Sequence, residues 1–155
     1  METLTQAELT ALLRQDLCSF IQRCFHELNP QARFLWNWHI EVLAAKLEAC
    51  RQGKIRRLII NVPPRHLKSL CASIALPAWW LGHVPACAII NVTYGQDLSD
   101  KFARDCRAIM MSSWSMPIML APFRASSPIT FKLTPRTRTS LPIGDSSGKS
   151  AWAGV

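Results

Sequence analysis

The stretch Arg57-Leu58-Ile59-Ile60-Asn61-Val62-Pro63-Pro64-Arg65-His66-Leu67-Lys68-Ser69-Leu70 decides how the rest of the chain is read. Its first six residues form a short, branched, apolar run flanked by breakers, the pattern of a strand buried on both faces. Pro63 and Pro64 end that run, because proline has no N–H to give a ladder. From Ser69 to about Leu81 the apolar spacing turns helical, and Pro77 is expected to kink that helix by removing one backbone donor. Ala88-Ile89-Ile90-Asn91-Val92 reads as a second buried strand, and Leu98, Phe102, Cys106 and Ile109 stripe a helix extending to about Met111. Strand, helix, strand, helix in that order predicts an α/β fold with a parallel sheet.

Upstream of this unit the pattern is helical. Thr5 with Glu8 three residues on is a capping-box signature, and Leu9, Leu13, Phe20, Cys24 and Leu28 recur near helical spacing up to Asn29-Pro30. A second helical pattern starts near Asn37, carries Ile40, Leu43, Leu47 and Cys50 on one face, and stops at Gly53. Beyond Trp114 prolines fall at 117, 122, 128, 135 and 142, serine and threonine dominate, and no period survives. Such a segment cannot repay its ordering entropy by burial and is expected to be disordered or loosely held. The expected organisation is a helical segment over 1–53, an α/β unit over 54–113 and a Pro/Ser/Thr-rich tail over 114–155.

The 155 residues suit one modest core, and 18 basic against 10 acidic side chains give a formal charge of +8. That excess favours a polyanionic partner such as nucleic acid or nucleotide. The six cysteines, at 18, 24, 50, 71, 87 and 106, include no Cys-x-x-Cys pair and sit among apolar residues, so they read as reduced, mostly buried thiols. Glu2 and Glu8 stand where a secretory signal would carry basic residues, which points to the cytoplasm. Leu70 to Ile90 contains no Asp, Glu, Lys or Arg and is long enough to span a bilayer, but Pro77, Gly82, His83 and Pro85 interrupt it.

The loop from Val62 to Ser69 has the length and ending of a phosphate-binding loop. Consecutive N–H groups from Arg65 to Ser69 at a helix amino terminus would point at phosphates, with the helix dipole in support. Lys68 would neutralise the terminal phosphates and the Ser69 hydroxyl would bind Mg²⁺. Val62 and Leu67 stand where the usual motif has glycines. His39, His66 and His83 form no pair on one helix face, and no cysteine or acid completes a metal set with them, although His66 is placed to touch phosphate. Trp36, Trp38, Trp79 and Trp80 read mainly as core, with base stacking as the other use of such rings.

Three ordered blocks carry a family resemblance: Asn37-Trp38-His39-Ile40-Glu41, the stretch from Arg57 to Leu70, and Thr93-Tyr94-Gly95-Gln96-Asp97-Leu98-Ser99-Asp100-Lys101-Phe102. Over residues 18 to 114 the chain resembles the amino-terminal part of the phage terminase large subunit, a P-loop NTPase-like DNA-packaging motor. The resemblance implies ATP and Mg²⁺ as cofactors, with Lys68 and Ser69 as the Walker A lysine and hydroxyl and Arg65 as the loop arginine that meets the γ-phosphate. It also implies double-stranded phage DNA, a terminase small subunit and a portal as partners, a ring of subunits, and a bacterial host cytoplasm. Gln96 lies in a matching block without an assignable contact, and with Asp97 it reads as the start of the following helix.

Hydrolysis in this class needs a strand-end carboxylate for Mg²⁺ and a second acid for water, and beyond Asp105 only Asp145 remains. The nuclease carboxylates of the family have no counterpart either. The expectation is an incomplete, truncated or frameshifted ATPase fragment, marginally stable because the strands that should flank the phosphate-loop strand are missing. Gly144-Asp145-Ser146-Ser147-Gly148-Lys149-Ser150 imitates a phosphate loop but follows no strand, and is read as coincidence. Two other readings stand beside the motor fragment: a small basic nucleic-acid-binding protein without enzymatic activity, and a membrane protein spanning at Leu70 to Ile90.

Overall fold

A computed structural model describes residues 5–120 and 133–135. Residues 121–132 and 136–155, which hold most of the Pro/Ser/Thr-rich tail and the imitation loop at 144–150, lie outside the described residues. The described residues are mostly helical: α1 (Gln6–Gln15), α2 (Leu17–Leu28), α3 (Trp38–Arg51), a π-helical stretch (Leu70–Ala75) running into α4 (Leu76–His83), α5 (Gln96–Met111) and α6 (Met116–Leu120).

Each helix boundary has a local cause. Thr5 Oγ1 accepts from Glu8 N–H and Glu8 returns a bond to Thr5 N–H at 2.8 Å, so the capping box closes α1 as its sequence predicts. Asp16 divides the expected single helix into α1 and α2: its backbone is extended, and its carboxylate accepts from Cys18 N–H at 3.2 Å and Ser19 N–H at 2.7 Å. Gly53, at φ 75°, takes the left-handed turn that stops α3. Pro77 has no N–H for Ser73 O, and the backbone answers by widening to π register, with Leu76 N–H bonded to Cys71 O. The freed Ser73 carbonyl accepts from Asn91 Nδ2 at 2.9 Å.

Among the described residues the expected parallel sheet is reduced to one short ladder, and this is the main correction to the sequence reading. Residues 57–62 form no strand, and among the described residues no backbone hydrogen bond involves them. Leu58 and Ile60 lie against the core, but Ile59 between them is 85% exposed, so the run is covered on one face only. Ile89 and Ile90 behave in the same way, with Ile90 73% exposed. The only pairing among the described residues is a three-residue parallel ladder between β1 (Asn91–Thr93) and β2 (Leu133–Pro135). A parallel strand is stable when neighbours satisfy both edges and helices cover both faces. Among the described residues the 57–62 run has no strand beside it and the 88–92 run gains only the short β1–β2 ladder at its end, each covered on one face, so no P-loop NTPase-like sheet forms there.

What the chain does build is one helical core. Phe20, Ile21, Ile40, Cys71, Trp79, Ile109 and Ile118 are buried in a single cluster drawn from α2 through α6. Trp79 is 0% exposed and its Nε1–H donates to Leu13 O at 3.1 Å, tying α4 to α1. Packing continues past residue 114: the Trp114 ring meets Phe20 edge to face at 5.5 Å, and Ser115 and Ile118 are buried. No helix among the described residues is long and apolar enough to cross a membrane, and Leu70 to Ile90 is divided among π turn, α4 and extended chain.

Candidate phosphate-binding loop

The loop before the π-helical stretch has an unusual backbone. Arg65 (φ 67°) and Leu67 (φ 58°) both take the left-handed conformation, and among the described residues no other non-glycine residue does. Left-handed backbone costs a side-chain-bearing residue about 1–2 kcal/mol, so two such positions flanking His66 mark a loop held by its surroundings. Leu67 shows what holds it: its side chain packs, half-buried, against the core cluster. At the position where the usual motif has glycine for its freedom of φ, this chain keeps the left-handed turn and uses the side chain as an anchor.

Turns of this kind gather successive N–H groups into an anion-binding concavity. The first helical bond runs from Cys71 N–H to Leu67 O at 2.9 Å. The N–H groups just ahead of it, at Lys68, Ser69 and Leu70, therefore have no intrahelical acceptor. Arg65, His66, Lys68 and Ser69 are exposed, and neither Arg65 nor Lys68 has an ion-pair partner among the described residues. Lys68 Nζ and Ser69 Oγ have no hydrogen-bond or ion-pair partner among the described residues.

The structure also places beside the loop a residue that spacing did not connect to it. His39, in the first turn of α3, brings its ring to 5.4 Å from the His66 ring. His66 Nδ1 lies 2.9 Å from Pro64 O, and since a carbonyl only accepts, that nitrogen carries the proton and donates. His39 Nε2 is buried without a hydrogen-bond partner. Trp38 is exposed next to His39 at 6.5 Å between ring centres, whereas Trp79 is core. Gln96 Nε2 donates to Asp100 Oδ1 at 2.7 Å within the first turns of α5.

Acids are engaged elsewhere. Glu8 and Asp16 cap helices, Glu27 holds Arg23 and Trp114, and Glu41 accepts from Trp36. Glu48 pairs with Arg51, Asp100 with Gln96 and Asp105 with Lys101, which leaves Asp97 alone without a partner among the described acids. The cysteines are free thiols: burial pushes Cys71 and Cys106 up to about 12, Cys18 up to about 11, and Cys24 well above its ordinary value. Thiols so disfavoured as thiolates are packing groups.

Compared with known protein families, characterised proteins and solved structures, the chain matches none of them.

Proposed function

We propose that the chain is a nucleotide-binding part of a terminase-like DNA-packaging ATPase, which binds Mg-ATP through Arg65, His66, Leu67, Lys68 and Ser69 and does not hydrolyse it alone. The observation that carries this reading is the pair of left-handed residues, Arg65 and Leu67, immediately before a helix that opens with Lys68 and Ser69. The Arg65 side chain is exposed, so its own packing does not account for that conformation. An anion at the loop supplies a reason, through the N–H groups of Lys68, Ser69 and Leu70.

In this account Arg65 and Lys68 contribute charge to the phosphates, Ser69 gives its hydroxyl to the magnesium shell, and the Leu67 side chain fixes the turn. Bound Mg²⁺ would neutralise charge on the phosphates. The proposal stops short of hydrolysis because beyond Asp105 the sequence keeps only Asp145, and no apolar run leads into it to hold Mg²⁺ at a strand end. Double-stranded phage DNA, the small subunit, the portal and a ring of subunits belong to this proposal as the partners of an intact motor.

A second reading is a basic nucleic-acid-binding module, favoured by Lys54, Arg56 and Arg57, which are exposed and without ion pairs among the described residues. Lys68→Ala separates the two. Loss of Mg-ATP binding with duplex-DNA affinity unchanged supports the nucleotide site, whereas salt-sensitive DNA binding with no nucleotide binding supports the module.

A further inference from the structure

The nucleotide reading uses His66 only as a member of the loop and gives His39 no task, yet each ring keeps a nitrogen that no described residue engages. The Nδ1–H of His66 donates to Pro64 O at 2.9 Å, the outer contact that metal-bound histidines almost always make. That contact leaves Nε2 of neutral His66 as a lone-pair donor. His39 supplies a second nitrogen, Nε2, which is shielded from solvent and has no hydrogen-bond partner. A buried polar atom without a partner is costly, on the order of 1–3 kcal/mol, unless something completes it.

The spacing suits a shared ion. A metal about 2.0–2.1 Å from an imidazole nitrogen sits about 3.2 Å from the ring centre. With both Nε2 atoms turned to one ion, ring centres 5.4 Å apart would subtend about 115° at the metal, close to the tetrahedral angle of zinc sites. We propose that His39 and His66 form a two-histidine site for a divalent transition metal of the Zn²⁺, Co²⁺ or Ni²⁺ class, joining the first turn of α3 to the phosphate loop.

Imidazole selects these ions over Mg²⁺, which takes oxygen ligands, so this site is separate from the magnesium at Ser69. Among the described residues no set of three or more His, Cys, Asp or Glu converges. The remaining coordination positions therefore go to water or to oxygens of an anion on the loop. Occupation pins His66, and with it the turn between Arg65 and Leu67, to α3. The inference does not depend on nucleotide binding, because the metal alone is the ligand tested.

The test is a titration of the full chain, without added histidines, with Co²⁺ followed by absorbance and displaced by Zn²⁺. Expected is one-to-one binding without the charge-transfer band that thiolate ligands produce. His39→Gln and His66→Gln should each weaken it at least about tenfold, more than loss of an outer-shell partner usually costs. His83→Gln should leave it unchanged, because the His83 Nδ1 is held by Trp79 O at 2.8 Å and its ring packs on Trp79. Diethylpyrocarbonate mapping on the unsubstituted chain needs no variant to fold, and Zn²⁺ should protect the exposed His66. A thiolate band, no saturable binding, insensitivity to either substitution, or no protection of His66 would overturn the proposal.

Discussion

Trp79→Phe tests the helical core at the point where most of it meets. The Trp79 side chain is fully buried, its ring lies 4.3 Å from His83 and 4.9 Å from the Arg51 guanidinium, and its N–H reaches back to Leu13. Because α1 ends at Gln15, Leu13 O is one of the terminal carbonyls that a helix cannot satisfy internally. Phenylalanine keeps a ring but removes that donor, stranding a buried acceptor at about 1–3 kcal/mol. The smaller ring also leaves a void on the order of 40 Å³, worth about 1 kcal/mol at about 24 cal/mol per Å³. The expected loss is therefore about 2–4 kcal/mol, a large share of the roughly 5–15 kcal/mol that holds a typical domain. Urea denaturation followed by far-ultraviolet circular dichroism measures it, with Trp80→Phe, at a half-buried neighbour, as the matched control. Equal midpoints for the two variants, with an unchanged slope, would refute the Trp79–Leu13 link and the packing built on it.

Three further outcomes follow from local geometry. Arg65→Gly should be more stable than Arg65→Ala by about 1 kcal/mol, since glycine accepts the left-handed φ that alanine does not; thermal melts of the two variants compare them directly. Asn91→Ala removes the donor that replaces the missing Pro77 N–H at Ser73 O, and should cost about 1–3 kcal/mol in urea denaturation while leaving helix content intact. The buried thiols make the fold sensitive to alkali: unfolded thiols ionise near 9.0, whereas in the folded chain Cys71 and Cys106 are pushed up to about 12 by burial. Between those values the folded state binds more protons than the unfolded one, so stability is fully present below pH 9 and is lost as pH rises toward 12. The urea midpoint should fall between pH 8.5 and about 10.5, and the fall should be smaller in a Cys71→Ala, Cys106→Ala double variant.

Local signals were legible and long-range ones were not. The Thr5–Glu8 box, the stop at Gly53 and the stripe of α5 each depend on residues within a few turns, and all three appear in the structure. The apolar runs at 57–62 and 88–92 misled because composition reports burial potential without reporting neighbours. Ile59 and Ile90 are what a buried parallel strand requires, but no described strand lies beside 57–62 and a three-residue ladder is all that 91–93 obtains. Pro77 was recognisable as a missing donor, whereas the widened turn and the help from Asn91 depend on contacts made in three dimensions. At the loop, residue types point to Lys68 and Ser69 as the proposed phosphate and magnesium ligands, and Leu67 departs from the usual motif. What the structure adds is that Leu67 has a left-handed backbone and a half-buried side chain. His39 carried no signal toward the loop, since it joins His66 only when α3 packs where it does.

The most direct test of the account is equilibrium binding of Mg-ATP to the full chain and to its Lys68→Ala variant, with far-ultraviolet circular dichroism confirming equal helix content. Saturable one-to-one binding by the parent, weakened at least about tenfold in the variant, a loss of about 1.4 kcal/mol, is the predicted result. Binding that is absent from the parent, or unaltered when Lys68 is removed, would contradict a phosphate-binding loop at Arg65–Ser69.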